Sequence, residues 1–453
     1  MNYLSKSLYL VLLVVAMLVG IGWINDVLNN PLDRRIDLLS DIRPTGTTET
    51  KIVQAMDTTA TLLLKDSIKE SPPPREEIKP TGPVYLEDFT TGRKSLQHFS
   101  NALQHVRNKK VRIAFFGDSF IEGDILCGSF RDTLQGIFGG RGVGYVPIAS
   151  EVAQYRMSIK HTFEEWETYS LVNKKKSNGP LGFSGYCFEP LLDNSVTYQT
   201  PRKGSLPFDA IRLFYINHTG KLLQYVIQDT ILHEMPLETS ADITELELPL
   251  SAKKVELKFP QTDSLYLYGA SFEDGNGVYV DNFAMRGNSG MGLSLIPKEQ
   301  LQHFNSFQNY KLVLLQYGLN VVNEKDSLGY HWYIEKMVKT IEHLKSSMPE
   351  TDFVLISVSD RSSNQDGTFA TIPAIPRMRD AQRVIAQRTN ILFWDLYTAM
   401  GGSGTMVDYV NATPPLAAKD YTHLTYLGGH KIAVKLANAL LHELRRNEKG
   451  KRS

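Results

Sequence analysis

Two cysteines in 453 residues, Cys127 and Cys187, are too few for a disulfide framework. One disulfide is possible, but two small buried hydrophobes is the plainer reading. Net charge is also missing: 49 Lys and Arg balance 49 Asp and Glu. Without a basic excess, no nucleic-acid partner is expected. The 11 histidines show no HExxH or similar ligand spacing, so neither a metal nor another cofactor is expected. Long apolar runs are absent but for one. Residues 8–24 are apolar and uncharged, preceded by Lys6, and reach the lower limit of roughly 17 residues for spanning a bilayer. The run continues through Gly20-Ile21-Gly22-Trp23 with no A-x-A-like cleavage site, and no cysteine follows it. An uncleaved membrane anchor is therefore preferred to a signal peptide. Lys6 favours a cytoplasmic N-terminus, although Arg34 and Arg35 weaken that asymmetry. The rest of the chain is then expected outside the cytoplasm.

What is there divides by texture. Residues 1–26 read as the anchor (or signal peptide) and 27–83 as a polar tether. Pro72-Pro73-Pro74 stiffens the tether near its end. An α/β pattern occupies 84–149 and returns at 284–446. Residues 87–108 look helical, and Gly139-Gly140-Arg141-Gly142-Val143-Gly144 reads as a flexible loop, lacking the Lys-Ser/Thr of a phosphate cradle. Between the two α/β stretches, residues 150–283 hold short strand-like runs separated by turn residues, which suggests an inserted all-β sandwich. Residues 447–453 form a basic tail.

The centre of the α/β pattern is VRIAFFGDSFIEGD at 111–124. An apolar run interrupted only by Arg112 ends in Gly117-Asp118-Ser119. That reads as a buried strand closing in a tight turn, with a helix after it. Ser119 then lies past the C-terminal end of a strand, where ligands bind in open α/β sheets. Gly-Asp-Ser alone is an ordinary turn. Two other stretches give it meaning: Gly318-Leu319-Asn320 behind the apolar run 312–315, and Asp420-Tyr421-Thr422-His423 near the C-terminus. Together they supply a nucleophile, oxyanion donors, an orienting acid and a base. Asp360 and Asp395 also follow strands and are alternative acids. His430 lies in the last predicted helix and is given no role.

With these blocks in this order, the chain resembles the GDSL/SGNH hydrolases, a superfamily with a flavodoxin-like three-layer α/β/α core. The resemblance spans about residues 85–444. It implies Ser119 in the first block, Gly287 of Arg286-Gly287-Asn288-Ser289-Gly290 in the second (with Gly290 the alternative), Asn320 in the third, and Asp420 and His423 in the fourth. Val321 departs from the acidic residue that often follows the asparagine. The chain looks most like the periplasmic peptidoglycan O-acetylesterases, which carry a carbohydrate-module-like β-sandwich between the first two blocks. GGRGVGYVP and Phe393-Trp394-Asp395-Leu396 also look like that branch.

The implied chemistry is nucleophilic. A serine hydroxyl needs an adjacent base. His423 would take its proton and later return it to the leaving alkoxide, while Asp420 fixes the imidazole tautomer. The Ser119 and Gly287 N–H groups and the Asn320 amide would hold the oxyanion. The expected function is removal of O-acetyl groups from a cell-envelope glycan. Two other readings stay open: an O-acetyltransferase using the same residues, and a non-catalytic glycan-binding protein.

Overall fold

The computed structural model describes residues 82–450 apart from 174–178, 192, 202–204, 249, 261–263 and 324–328. The expected anchor, the tether up to residue 81, and 451–453 of the tail lie outside the described residues. No described helix is long and apolar enough to cross a membrane.

The central sheet has six strands: β1 (Glu87–Asp88), β2 (Lys110–Gly117), β3 (Gly277–Ala284), β4 (Tyr310–Gln316), β5 (Asp352–Ile356) and β6 (Leu392–Trp394). Their order across the sheet is β1-β6-β5-β4-β2-β3. β1 runs antiparallel to β6, and every other pairing is parallel. Counting only the parallel strands, the order is 2-1-3-4-5, the flavodoxin-like arrangement. The chain leaves β2 for one neighbour, β3, and later reaches the other, β4. The crevice between the C-terminal ends of β2 and β4 is therefore the topological switch point.

β2 is buried along its length after Lys110, as expected of a parallel strand covered on both faces. Arg112 lies within it, 4% exposed, with Nη2 2.7 Å from Glu273 Oε1. That pairing makes a charge tolerable inside an apolar strand. Among the described residues eight α-helices accompany the sheet: α1 (Gln97–Leu103), α2 (Cys127–Phe138), α3 (Lys298–Gln308), α4 (His331–Ser347), α5 (Ala374–Arg388), α6 (Leu396–Met400), α7 (Thr405–Asn411) and α8 (Tyr426–Gly450). In α2, Cys127, Phe130, Arg131 and Leu134 are buried, a stripe at helical spacing. That stripe packs on β3 and α8, while α3, α4 and α5 pack in series. Right-handed crossovers place α3–α5 on the sheet face opposite α2.

Between α2 and β3 the chain forms two antiparallel sheets. One orders Ile231–Pro236, Leu222–Ile227, Lys254–Phe259, Asn194–Gln199 and Lys160–Phe163; the other orders Ser240–Leu248, Ala210–Asn217, Leu265–Asp274, Tyr186–Glu189 and Glu167–Ser170. Burial alternates along Asn194–Gln199 and Lys254–Phe259, the mark of a strand with one covered face. Residues of both sheets, among them Val196, Leu257, Leu213 and Phe272, share a second hydrophobic cluster.

Three expectations need correction. The boundaries of the β segment shift: strand Arg141–Pro147 pairs with Leu265–Asp274, while Gly277–Ala284 is β3 of the parallel sheet. The glycine-rich stretch is thus largely strand rather than a loop. A Cβ on Gly142 would lie 2.4 Å from Phe272 O and one on Gly144 2.0 Å from Asp281 Oδ1, so glycine permits these close approaches. Residues 87–108 are α-helical only over α1, with a short 3-10 turn at Thr91–Arg93, because Glu87–Asp88 pairs with β6 and Leu96 turns left-handed at φ 51°. Cys127 and Cys187 are both buried and unpaired.

Candidate active site

The nucleophile candidate is presented by a turn that glycine makes possible. A Cβ on Gly117 would meet the Ile121 side chain at 2.7 Å and Gln316 O at 3.0 Å. Asp118 Oδ1 accepts the Phe120 N–H at 3.0 Å, and Asp118 O accepts that of Ile121 at 3.3 Å. Ser119 sits in this turn, two residues past β2. Its Oγ is 2.9 Å from His423 Nε2. His423 Nδ1 is in turn 2.6 Å from Asp420 Oδ2. The other Asp420 oxygen accepts the backbone N–H groups of Thr422 and His423, both at 3.0 Å. The Asp-x-x-His spacing therefore closes one turn on itself. An ionised carboxylate only accepts, so Nδ1 carries the proton and Nε2 is left to accept from Ser119.

The two acids at the site differ. Partial burial pushes Asp420 up, but hydrogen bonds from the His423 ring and from the two backbone N–H groups outweigh it, bringing the carboxyl to about 2. Asp118 is fully buried, and burial raises it to about 7 against the hydrogen bonds from Phe120 and Asn320 and the nearby His423.

Asn320 ties three loops together. Its Nδ2 donates to Asp118 Oδ2 and to Asn288 O, both at 3.1 Å. The ends of β2, β3 and β4 thus meet beside Ser119. Both amide hydrogens are engaged here, so Asn320 must release one to serve an oxyanion. The Ser119 and Gly287 N–H groups make no hydrogen bond among the described residues. Gly287 has φ 73°, and a Cβ there would project into open space. Gly290, at φ 86°, is pressed against Tyr317, 2.7 Å from its would-be Cβ, so its glycine has a packing cause.

The alternative acids are engaged elsewhere. Asp360 accepts from Thr371 Oγ1 at 2.8 Å and the Met406 N–H at 2.7 Å. Asp395 accepts the Thr398 N–H at 2.9 Å at the start of α6 and from Arg383 Nη2 at 2.7 Å. Sequence reasoning missed Asp118 and Asn288 as partners of Asn320. Their adjacency to Ser119 and Gly287 was the available signal. Among the described residues no group of three His, Cys, Asp or Glu side chains is placed to hold a metal ion.

No family model and no curated protein matches this sequence. A solved peptidoglycan O-acetylesterase superposes with a TM-score of 0.64 at 20% identity, covering 80% of this chain and 99% of its own. The two share a fold. A family-two carbohydrate esterase from Cellvibrio japonicus has 7% identity and a TM-score of 0.26, covering 66% of this chain and 98% of its own. An acetyl xylan esterase has 18% identity and a TM-score of 0.28, covering 36% and 81% respectively. Superpositions that loose carry no argument.

Proposed function

We propose that this chain is a serine esterase of the GDSL/SGNH type that removes O-acetyl groups from a cell-envelope glycan such as peptidoglycan. The carrying observation is the continuous chain from Ser119 Oγ through His423 to Asp420, with links of 2.9 and 2.6 Å. The fold shared with a peptidoglycan O-acetylesterase supports the substrate class.

In this reading His423 Nε2 takes the Ser119 proton as Oγ attacks the acetyl carbonyl. The free Ser119 and Gly287 N–H groups hold the oxyanion, joined by Asn320 once one of its amide hydrogens is released. His423 then protonates the leaving sugar alkoxide, and an acetyl-serine remains. Water, deprotonated by the same nitrogen, attacks that ester and releases acetate and free Ser119. The His423 side chain is 32% exposed and that of Asp420 49%, so water can reach the base, which favours hydrolysis over transfer to a second sugar. The apolar run at 8–24 would hold the enzyme on the outer side of the inner membrane, facing the periplasm.

The test is acetate release from O-acetylated peptidoglycan by the wild type and by Ser119→Ala, with an acceptor oligosaccharide present in parallel. Wild-type release that Ser119→Ala loses is expected. Acetylated oligosaccharide in place of free acetate would favour the transferase, and no acetyl chemistry at all would favour the binding protein.

A further inference from the structure

Five positions beyond Ser119 lies Asp124, 5% exposed and left-handed at φ 61°. It has no place in the chemistry above, yet four side chains converge on its carboxylate. Oδ2 accepts from Arg131 Nη2 at 2.6 Å, from Arg156 Nε at 3.1 Å and from Ser158 Oγ. Oδ1 accepts from Asn282 Nδ2 at 2.9 Å, and the same Nδ2 donates to Ile121 O at 3.0 Å. The stretch after Ser119 is thereby pinned at Ile121 and at Asp124.

The four partners come from three places. Asn282 is on β3, and Arg131 is on α2, its Nη1 donating to Val143 O and Val280 O at 3.1 Å. Arg156 and Ser158 belong to the stretch that enters the antiparallel sheets, between strands Arg141–Pro147 and Lys160–Phe163. Arg156 also reaches Tyr145 O through Nη2 at 3.4 Å. Its neighbour Tyr155 borders Gly123, whose would-be Cβ lies 4.0 Å from Tyr155 O. The side chains of Arg131, Arg156 and Asp124 are 2%, 8% and 2% exposed. Charges that buried persist only when paired, and a satisfied buried network holds one geometry.

We propose that Arg156 is a positioning residue for Ser119: through Arg156 and Ser158, the β segment fixes the turn that carries the nucleophile. This rests on the reading of Ser119 as nucleophile. A displacement of about 1 Å at a reacting group can cost about 10²-fold in rate, so a slack turn is felt in turnover. Without Arg156, Asp124 keeps Arg131, Asn282 and Ser158, so the fold survives while the tie to the β segment is reduced to one hydroxyl.

The experiment uses the full-length protein carrying Arg156→Gln or Arg156→Lys. It follows kcat and KM on p-nitrophenyl acetate, labelling of Ser119 by an organophosphate, amide hydrogen exchange at residues 118–125, and the melting temperature. Arg156→Gln should melt close to the wild type. Its kcat and labelling rate should fall about ten-fold with KM unchanged, and residues 118–125 should exchange faster. Arg156→Lys should recover part of the loss, because it restores the charge without the forked donors. A folded Arg156→Gln with wild-type labelling and exchange overturns the proposal. If Arg156→Gln does not fold, Ser158→Ala decides: a smaller loss of kcat with faster exchange supports it, and wild-type values overturn it. A wild type that is not labelled at Ser119 fells the esterase reading, and this one with it.

Discussion

The Ser119 hydroxyl proton has an acceptor in reach, His423 Nε2. The acceptor is in the right tautomer because Asp420 accepts the hydrogen bond from Nδ1–H. Each link depends on the next. Ser119→Ala and His423→Ala should each lower kcat on p-nitrophenyl acetate by several orders of magnitude, and the double variant should be no worse than either. Multiplying losses would show that the two do not act as one unit. Asp420→Asn should cost less than Ser119→Ala, since the acid orients rather than attacks. The asparagine oxygen can still accept the Thr422 and His423 backbone N–H groups that hold this turn.

One further element bears on the acid–base turn. Ser362–Gln365 and Thr368–Thr371 form a hairpin that was not anticipated, although Asp366-Gly367 is a hairpin signal. Its Phe369 ring stacks on Tyr421 with centroids 3.7 Å apart and planes at 8°. The Ser362 N–H donates to Tyr421 O at 3.1 Å. Tyr421 stands between Asp420 and His423 at φ 53°, a conformation costing a non-glycine residue roughly 1–2 kcal/mol. An aromatic pair contributes about 0.5–1.5 kcal/mol, enough to offset much of that. Phe369→Ala should therefore loosen the turn and lower kcat several-fold, while Phe369→Tyr keeps it. Equal kcat in all three proteins would mean that the turn holds itself.

For the whole molecule, buried acids of opposite kind set the response to pH. Burial raises Asp352 to about 7, although it accepts the Phe99 N–H at 2.8 Å, and Asp118 is raised similarly. In the unfolded chain such groups ionise near 4. From about 4 to 7 the folded state therefore binds more protons, and stability falls as pH rises through that window. Asp124 and Glu273 act in the reverse sense. Burial raises both, but the surrounding arginines outweigh it and hold both well below the usual range. Their contribution is present above about pH 4 and is lost on further acidification. The melting temperature should thus peak in mildly acidic solution. Asp352→Asn, neutral throughout, should narrow the difference between pH 4.5 and 7.5. An unchanged difference would mean that Asp352 does not titrate there.

What could be read from residues alone was local. Mostly apolar runs followed closely by glycine located β2 and β4, because a parallel strand buries both faces and shows it in its own composition. The spacing of Asp420 and His423 placed a carboxylate and an imidazole in one turn, since three residues span a turn wherever it lies. Distant pairing was not legible. Ser119 and His423 are 304 positions apart, and only the 2-1-3-4-5 strand order opens the crevice where they meet. Arg112 looked like a flaw in an apolar strand until Glu273, on an antiparallel strand, supplied its counter-charge. The edges of the β segment, the glycine-rich strand and the cluster on Asp124 were hidden for the same reason. Whether a backbone N–H finds a strand, or a buried charge finds a partner, depends on residues far along the chain, and only the folded molecule brings them together.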